Sequence, residues 1–209
     1  MIEPLPTLPH SHSGCTCGEA QGHDAPVLDA AVGKLLPLAG ASDVIPDFAV
    51  VTSAGIRIVM NNRAAAPALK LSPSILTMPG DTITKVAVGD VNGDGFDDVI
   101  VGAAGADPHG EGSGSSYVVF GRASGFDASM DLASLNGNNG FRLDGVAEGD
   151  LLGGVVSNAG DVDGDGFDDV IVSATGADPN GDNSGSSYVV FGRASGFDAS
   201  MNLSSLDGS

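Results

Sequence analysis

From residue 81 onward the chain alternates short apolar runs with glycine-rich polar clusters. Asp98–Ala103 (DVIVGA) is a β-branched run with no polar break, the pattern of a strand covered on both faces. Upstream, Thr84, Val86 and Val88 occupy alternate positions and define a strand that runs into an acidic loop. Ser116–Arg122 (SYVVFGR) and Gly140–Asp144 (GFRLD) are the third and fourth strand candidates. The clusters NGDG, ADPHGEGSGS and ASGFDASMDLASLNGNN separate them as turns and loops. No segment carries a helical period with caps, so the reading is all-β.

A repeat organises these elements. Residues 89–137 align without a gap on 160–208 at an offset of 71, and nine positions differ, among them Asn92/Asp163 and Gly102/Ser173. Near-identity over that length means duplication of one structural unit. Four strands in about 70 residues suit a propeller blade, which commonly has four strands. The expected architecture is a partial β-propeller of four-stranded blades, with blades at 81–151 and 152–209, the second one truncated. Residues 43–80 read as a degenerate blade, because DVIPDFAVV from Asp43 aligns with DGFDDVIVG from Asp94, and GIRIVMN supplies a following strand. Ala39 and Ala41 stand where the earlier carboxylates would be, so this copy is expected to keep strands and lack a metal. Residues 1–42, rich in Pro, Gly, Ala and His with one short apolar stretch (Val27–Leu38), read as a poorly ordered tail.

The acidic loops carry the chemistry. The first is Asp90-Val-Asn92-Gly-Asp94-Gly-Phe96-Asp97-Asp98, and the second is Asp161-Val-Asp163-Gly-Asp165-Gly-Phe167-Asp168-Asp169. Side-chain oxygens fall at positions 1, 3, 5 and 9, and position 7 (Phe96, Phe167) offers a backbone carbonyl. Calcium takes six to eight hard oxygen ligands in a flexible cage, and a glycine at position 6 permits the positive-φ turn that wraps one. Magnesium fits less well, since it demands octahedral geometry and releases its waters reluctantly. An EF-hand begins the same way but needs a Glu at position 12 and flanking helices, whereas position 12 here is Val101 or Val172 within a β-branched run. Plain acidic Asp-Gly surface turns are the bland alternative; two copies that keep every ligand position amid other substitutions argue against it. Asp97 and Asp168, at position 8, are expected to point away into solvent. The second loop, with four carboxylates against three and an amide, is expected to bind more tightly.

Composition narrows the function classes. With 8 Lys and Arg against 27 Asp and Glu, the formal charge is −19. That disfavours nucleic acid and anionic membrane surfaces, which require a basic face. No apolar run approaches the roughly 20 residues of a membrane helix, and the N-terminus lacks a basic region followed by an apolar one, so neither membrane insertion nor a classical secretory signal is read. The N-terminal segment HSHSGCTCGEAQGH gathers His10, His12, Cys15, Cys17 and His23, which are zinc- or copper-compatible ligands. It lacks the C-x₂-C spacing of an established structural site, and a solvated tail is the competing reading.

GDVNGDGFDDVIVGA and GDVDGDGFDDVIVSA, each followed by SYVVFGRASGF, resemble FG-GAP repeats, the blades of integrin α-subunit propellers and of bacterial surface proteins. The Gly-Ala-Pro element is present in altered form as GAAGADP and SATGADP, and Leu152-Gly153 stands at the Phe-Gly element. The resemblance covers about residues 81–209. It implies a calcium-binding, non-enzymatic module for extracellular adhesion or for binding a protein or glycan ligand. An accessory propeller of a secreted hydrolase is the alternative it leaves open. Since closed propellers of this family have more blades than are legible here, the chain is expected to be part of a longer protein, or an open array whose edges self-associate.

Overall fold

Thirteen strands and one 3₁₀ turn (Leu132–Ser134) make up the described part of the computed structural model, residues 27–33, 47–52, 55–60, 70–77, 82–124, 126, 129–203 and 206. The fold is all-β and falls into three sheets. In the first, β1 (Val27–Gly33), β2 (Asp47–Thr52), β3 (Gly55–Met60) and β4 (Lys70–Thr77) form an antiparallel meander. Where β3 begins, Gly55 takes φ 116° and the Thr52 hydroxyl at the end of β2 donates to the Gly55 carbonyl at 2.9 Å.

The middle sheet runs β5 (Lys85–Gly89), β6 (Asp98–Ala103) and β7 (Ser115–Val119), all antiparallel. The chain then leaves it to lay β8 (Ser129–Asp131) parallel against β4 of the first sheet, and returns as β9 (Gly140–Asp144) beside β7. The third sheet is β10 (Leu152–Gly160), β11 (Asp169–Ala174) and β12 (Ser186–Val190). Its excursion repeats the first: β13 (Ser200–Asn202) lies parallel against β9 of the middle sheet. Each repeat thus lends three residues to the sheet before it. Strand β5 packs beside β1 on one side and β10 on the other.

Every residue of β6 is buried, and the period-two alternation of a strand divides its side chains between two cores. Val99 and Val101 join Ala49, Val51 and Ile56 of the first sheet, with Tyr117 and Val119. Ile100 faces the other way, with Val118, Phe141 and Leu143, into Val156, Val170, Val172 and Val190 of the third sheet. The unbroken apolar run therefore reflects a sheet enclosed by neighbours on both faces. Phe197 is wedged into the second core, stacked on Phe141 at 4.6 Å and 5.3 Å from Phe120, with the Arg193 guanidinium 4.6 Å above its ring.

A buried carboxylate pins the excursion down. Asp144 on β9 accepts from the Ser115 hydroxyl at 2.9 Å, from Arg142 Nε at 2.9 Å and from the Ser200 hydroxyl of β13 at 3.1 Å. The three donors come from β7, β9 and β13, so one side chain ties three strands together.

Several boundaries differ from expectation. The apolar stretch in residues 1–42 contributes β1, a strand within the expected tail. Its Asp29 carboxylate accepts the Val86 N–H at 3.0 Å, an anchor that no local pattern reveals. The third strand candidate, Ser116–Arg122, is β7 at Ser115–Val119. The ladder stops there because Phe120 N–H turns to Asn139 O and Gly121 N–H turns to the Asp98 carboxylate. In the third sheet, β12 has no outer strand among the described residues. His10, His12, Cys15, Cys17, His23, Ala39 and Ala41 lie outside the described residues.

Candidate metal-binding loops

Each acidic loop bridges two adjacent antiparallel strands, β5 to β6 and β10 to β11. Most of their internal wiring recurs; Gly164 N–H to Asp161 is seen in the second loop and Asn92 Nδ2 to Asp94 in the first. Asp90, at position 1, accepts from the N–H groups of Asp94 (3.0 Å) and Gly95 (2.9 Å); Asp161 accepts from those of Asp165 and Gly166, both at 3.0 Å. At position 3, Asn92 Oδ1 accepts from Asp94 N–H at 3.0 Å and Asp163 from Asp165 N–H at 3.1 Å. At position 5, Asp94 accepts from Phe96 N–H at 2.9 Å and Asp165 from Phe167 N–H at 3.0 Å. The glycines between them need left-handed backbone: Gly93 and Gly95 have φ of 70° and 86°, Gly164 and Gly166 of 81° and 94°.

Position 9 closes the loop from inside the sheet. Asp98 is fully buried and accepts from Val91 N–H at 2.9 Å and Gly121 N–H at 2.8 Å. Asp169 is equally buried and accepts from Val162 N–H at 2.7 Å and Gly192 N–H at 2.9 Å. A carboxylate offers about four lone-pair sites, so two backbone bonds leave capacity for a cation. Gly121 and Gly192 went unnoticed in the sequence, although FGR occurs after both loops. A Cβ at either would lie 2.5 Å from the carbonyl of Asp97 or Asp168.

Carboxylate oxygens of Asp161, Asp163 and Asp169 lie within 4.8 Å of one another, the acidic cluster that could hold a metal among the described residues. In the first loop the amide of Asn92 replaces the middle carboxylate. The electrostatics of both loops fit a cation. Burial pushes the Asp98 carboxyl up to about 8, and the charges of Asp94 and Asp90 add to the rise against two backbone hydrogen bonds that lower it. Asp90 is raised by burial, with repulsion from Asp94. Asp163 is also raised, by desolvation first and then by Asp165, Asp169 and Asp161, although its side chain is exposed. Desolvation leads in all three, and a divalent ion would offset the crowded negative charge that adds to it.

Position 8 departs from expectation. Asp168 does not face solvent: it is half-buried and accepts from Asp90 N–H at 3.1 Å and from Asn158 Nδ2 at 2.8 Å. Asp97 is half-buried too, and its carboxylate reaches back to Gly33 at the end of β1. The reason is the approach of neighbouring sheets. Asp168 occupies the same place at Gly89, the last residue of β5, where a Cβ would also strike Asn158. The two loops also touch directly, since the Phe167 ring occupies the space a Cβ on Gly93 would need and Arg193 N–H donates to Val91 O at 3.0 Å.

Two stretches of the sequence, residues 83–119 and 153–190, match the family model of the FG-GAP repeat. The chain carries FG-GAP repeats. Each matched stretch spans three antiparallel strands and the acidic loop between the first two, and the second begins at Gly153 of the Leu152-Gly153 pair. Leu152 is fully buried and Gly153 has φ 88°, with the Ser115 carbonyl 2.5 Å from where a Cβ would stand, so the backbone there leaves no room for a side chain. No curated protein matches the chain. No helix among the described residues is long and apolar enough to cross a membrane.

Proposed function

We propose that this FG-GAP chain is a calcium-stabilised, non-enzymatic binding or adhesion module that works outside the cell. Asp90, Asn92, Asp94, Asp98 and the Phe96 carbonyl would hold one calcium; Asp161, Asp163, Asp165, Asp169 and the Phe167 carbonyl would hold the second. The observation that carries this reading is the shared wiring of the two loops, in which backbone N–H groups aim the side-chain oxygens of positions 1, 3, 5 and 9. The arrangement of β1, β5 and β10 as successive neighbours supports a propeller-like array, with each sheet a blade. His109, the histidine within the repeats, uses Nδ1 on the Gly145 carbonyl at 2.7 Å, a structural contact that fits a module without catalysis.

The calcium would hold sheets in place rather than perform chemistry. At about 1 mM extracellular calcium and a Kd of about 10⁻⁴ M, each site would stabilise the fold by about 1.4 kcal/mol. Calorimetric titration of the full chain should resolve two sites, with Asp94→Ala removing one and Asp165→Ala the other. A melting temperature that does not move when excess chelator is added would overturn the reading.

A further inference from the structure

The duplication allows the same side chain to be compared in two surroundings. Residues that face the preceding sheet are buried in both copies: Val99 and Val170 are each 0 % exposed. Residues that face the following sheet are not. Val91 is 0 % exposed and its counterpart Val162 is 59 %; Val118 is 0 % and Val189 is 36 %; Phe120 is 9 % and Phe191 is 46 %. In the middle sheet this face is covered by the third sheet. The third sheet bares the same three residue types, in the same register, to solvent.

What covers such a face is therefore visible inside the molecule: the opposite face of another sheet of the same kind. The chain also bares one of those. On β1 the Asp29 side chain reaches the middle sheet through Val86 N–H, so by strand alternation Val32 points the other way, and Leu28, at the register shift beside Asp29, is exposed with it. Leu28 is 48 % exposed and Val32 51 %.

We propose that these two faces dock on each other between two copies of this chain, head to tail, repeating the packing of the middle sheet on the third. Such contacts are heterologous and either close or propagate. The inference rests on burial and does not depend on calcium.

Sedimentation velocity of the full chain over a concentration series, in calcium and in chelator, tests it. The wild type should shift from monomer to dimer with concentration. The shift should strengthen with added salt, because the joined faces are apolar and the copies share a strongly negative charge. Phe191→Ser and Val32→Glu, both at exposed positions, should each weaken association at least about tenfold with unchanged melting temperature. An equimolar mixture of the two variants should pair, since each supplies the face the other lacks. A wild type that stays monomeric throughout would refute the proposal. So would association that neither variant weakens, or that Phe191→Ser weakens and Val32→Glu does not, which would mean two like faces pairing. Should either variant melt early, Val189→Ser and Leu28→Glu replace them with the same expectations.

Discussion

Asp90 and Asp168 hold each other by two hydrogen bonds: the Asp168 carboxylate accepts the Asp90 N–H at 3.1 Å, and the Asp90 carbonyl accepts the Asp168 N–H at the same distance. Asp90 is the first residue of one acidic loop and Asp168 the eighth of the other, so the two loops share one polar joint. Replacing Asp168 by Ala strands the Asp90 N–H and the Asn158 amide in a half-buried place. The expected loss is about 1–3 kcal/mol in denaturant unfolding, with weaker calcium binding at the first loop as well as the second. An effect confined to the second loop would show that the joint transmits nothing.

The contact of Gly93 with the Phe167 ring can be isolated by a matched pair. Gly93 and Gly164 hold the same loop position with φ of 70° and 81°, but a Cβ at Gly164 would meet nothing within 4 Å. Gly164→Ala should cost about 1–2 kcal/mol, the strain of left-handed backbone alone. Gly93→Ala should cost more, because the added methyl must displace the aromatic ring of the adjoining loop. Thermal melts of the two variants read the difference directly.

The loops differ at position 3, and a single substitution should even them out. Asp163→Asn gives the second loop the donor set of the first, with one fewer charge. Calorimetry should show the tighter site lost and two sites of similar affinity in its place. A tight site that survives the change would mean that burial, rather than charge, sets the order.

In chelator, stability should depend on pH in the direction opposite to an ordinary acidic protein. The Asp98 carboxyl titrates near 8 when folded and near the usual carboxylate value when unfolded, so between these limits the folded state holds the extra proton. Its contribution is complete below the unfolded value and disappears as pH rises through about 8. Asp90 and Asp163 shift in the same direction. The chelated protein should therefore melt higher near pH 5 than near pH 8, and the rise produced by calcium should be larger near pH 8. Asp98→Asn should flatten most of this dependence.

How much of this was legible follows from where each feature gets its cause. Strands β6 and β9 were read to the residue, because β6 is enclosed by cores on both faces and β9 alternates Phe141 and Leu143 into one of them. The turn of each acidic loop was legible because the loop wires itself, Asp90 and Asp94 each turning to an N–H a few residues away. Whatever answers to another sheet was not. β8 and β13 are three residues long and owe their extended form to β4 and β9, far away in sequence. Asp168 looked like a solvated charge because its partners, Asp90 and Asn158, lie on other strands. The end of β7 was overrun for the same reason: the donor at Gly121 is taken by Asp98 from across the sheet.

The parallel placement of β13 on β9 means that the period of the sequence and the period of the folded object are out of phase. A cut between Asp150 and Leu152 would separate the two repeats by sequence, yet would strip the middle sheet of its last strand and Asp144 of its Ser200 partner. Neighbouring units are joined as overlapping planks are, each end lying across the next, so loosening one frees an edge of the other. Unfolding should then spread from sheet to sheet, and the smallest piece that folds alone is larger than the piece that was duplicated.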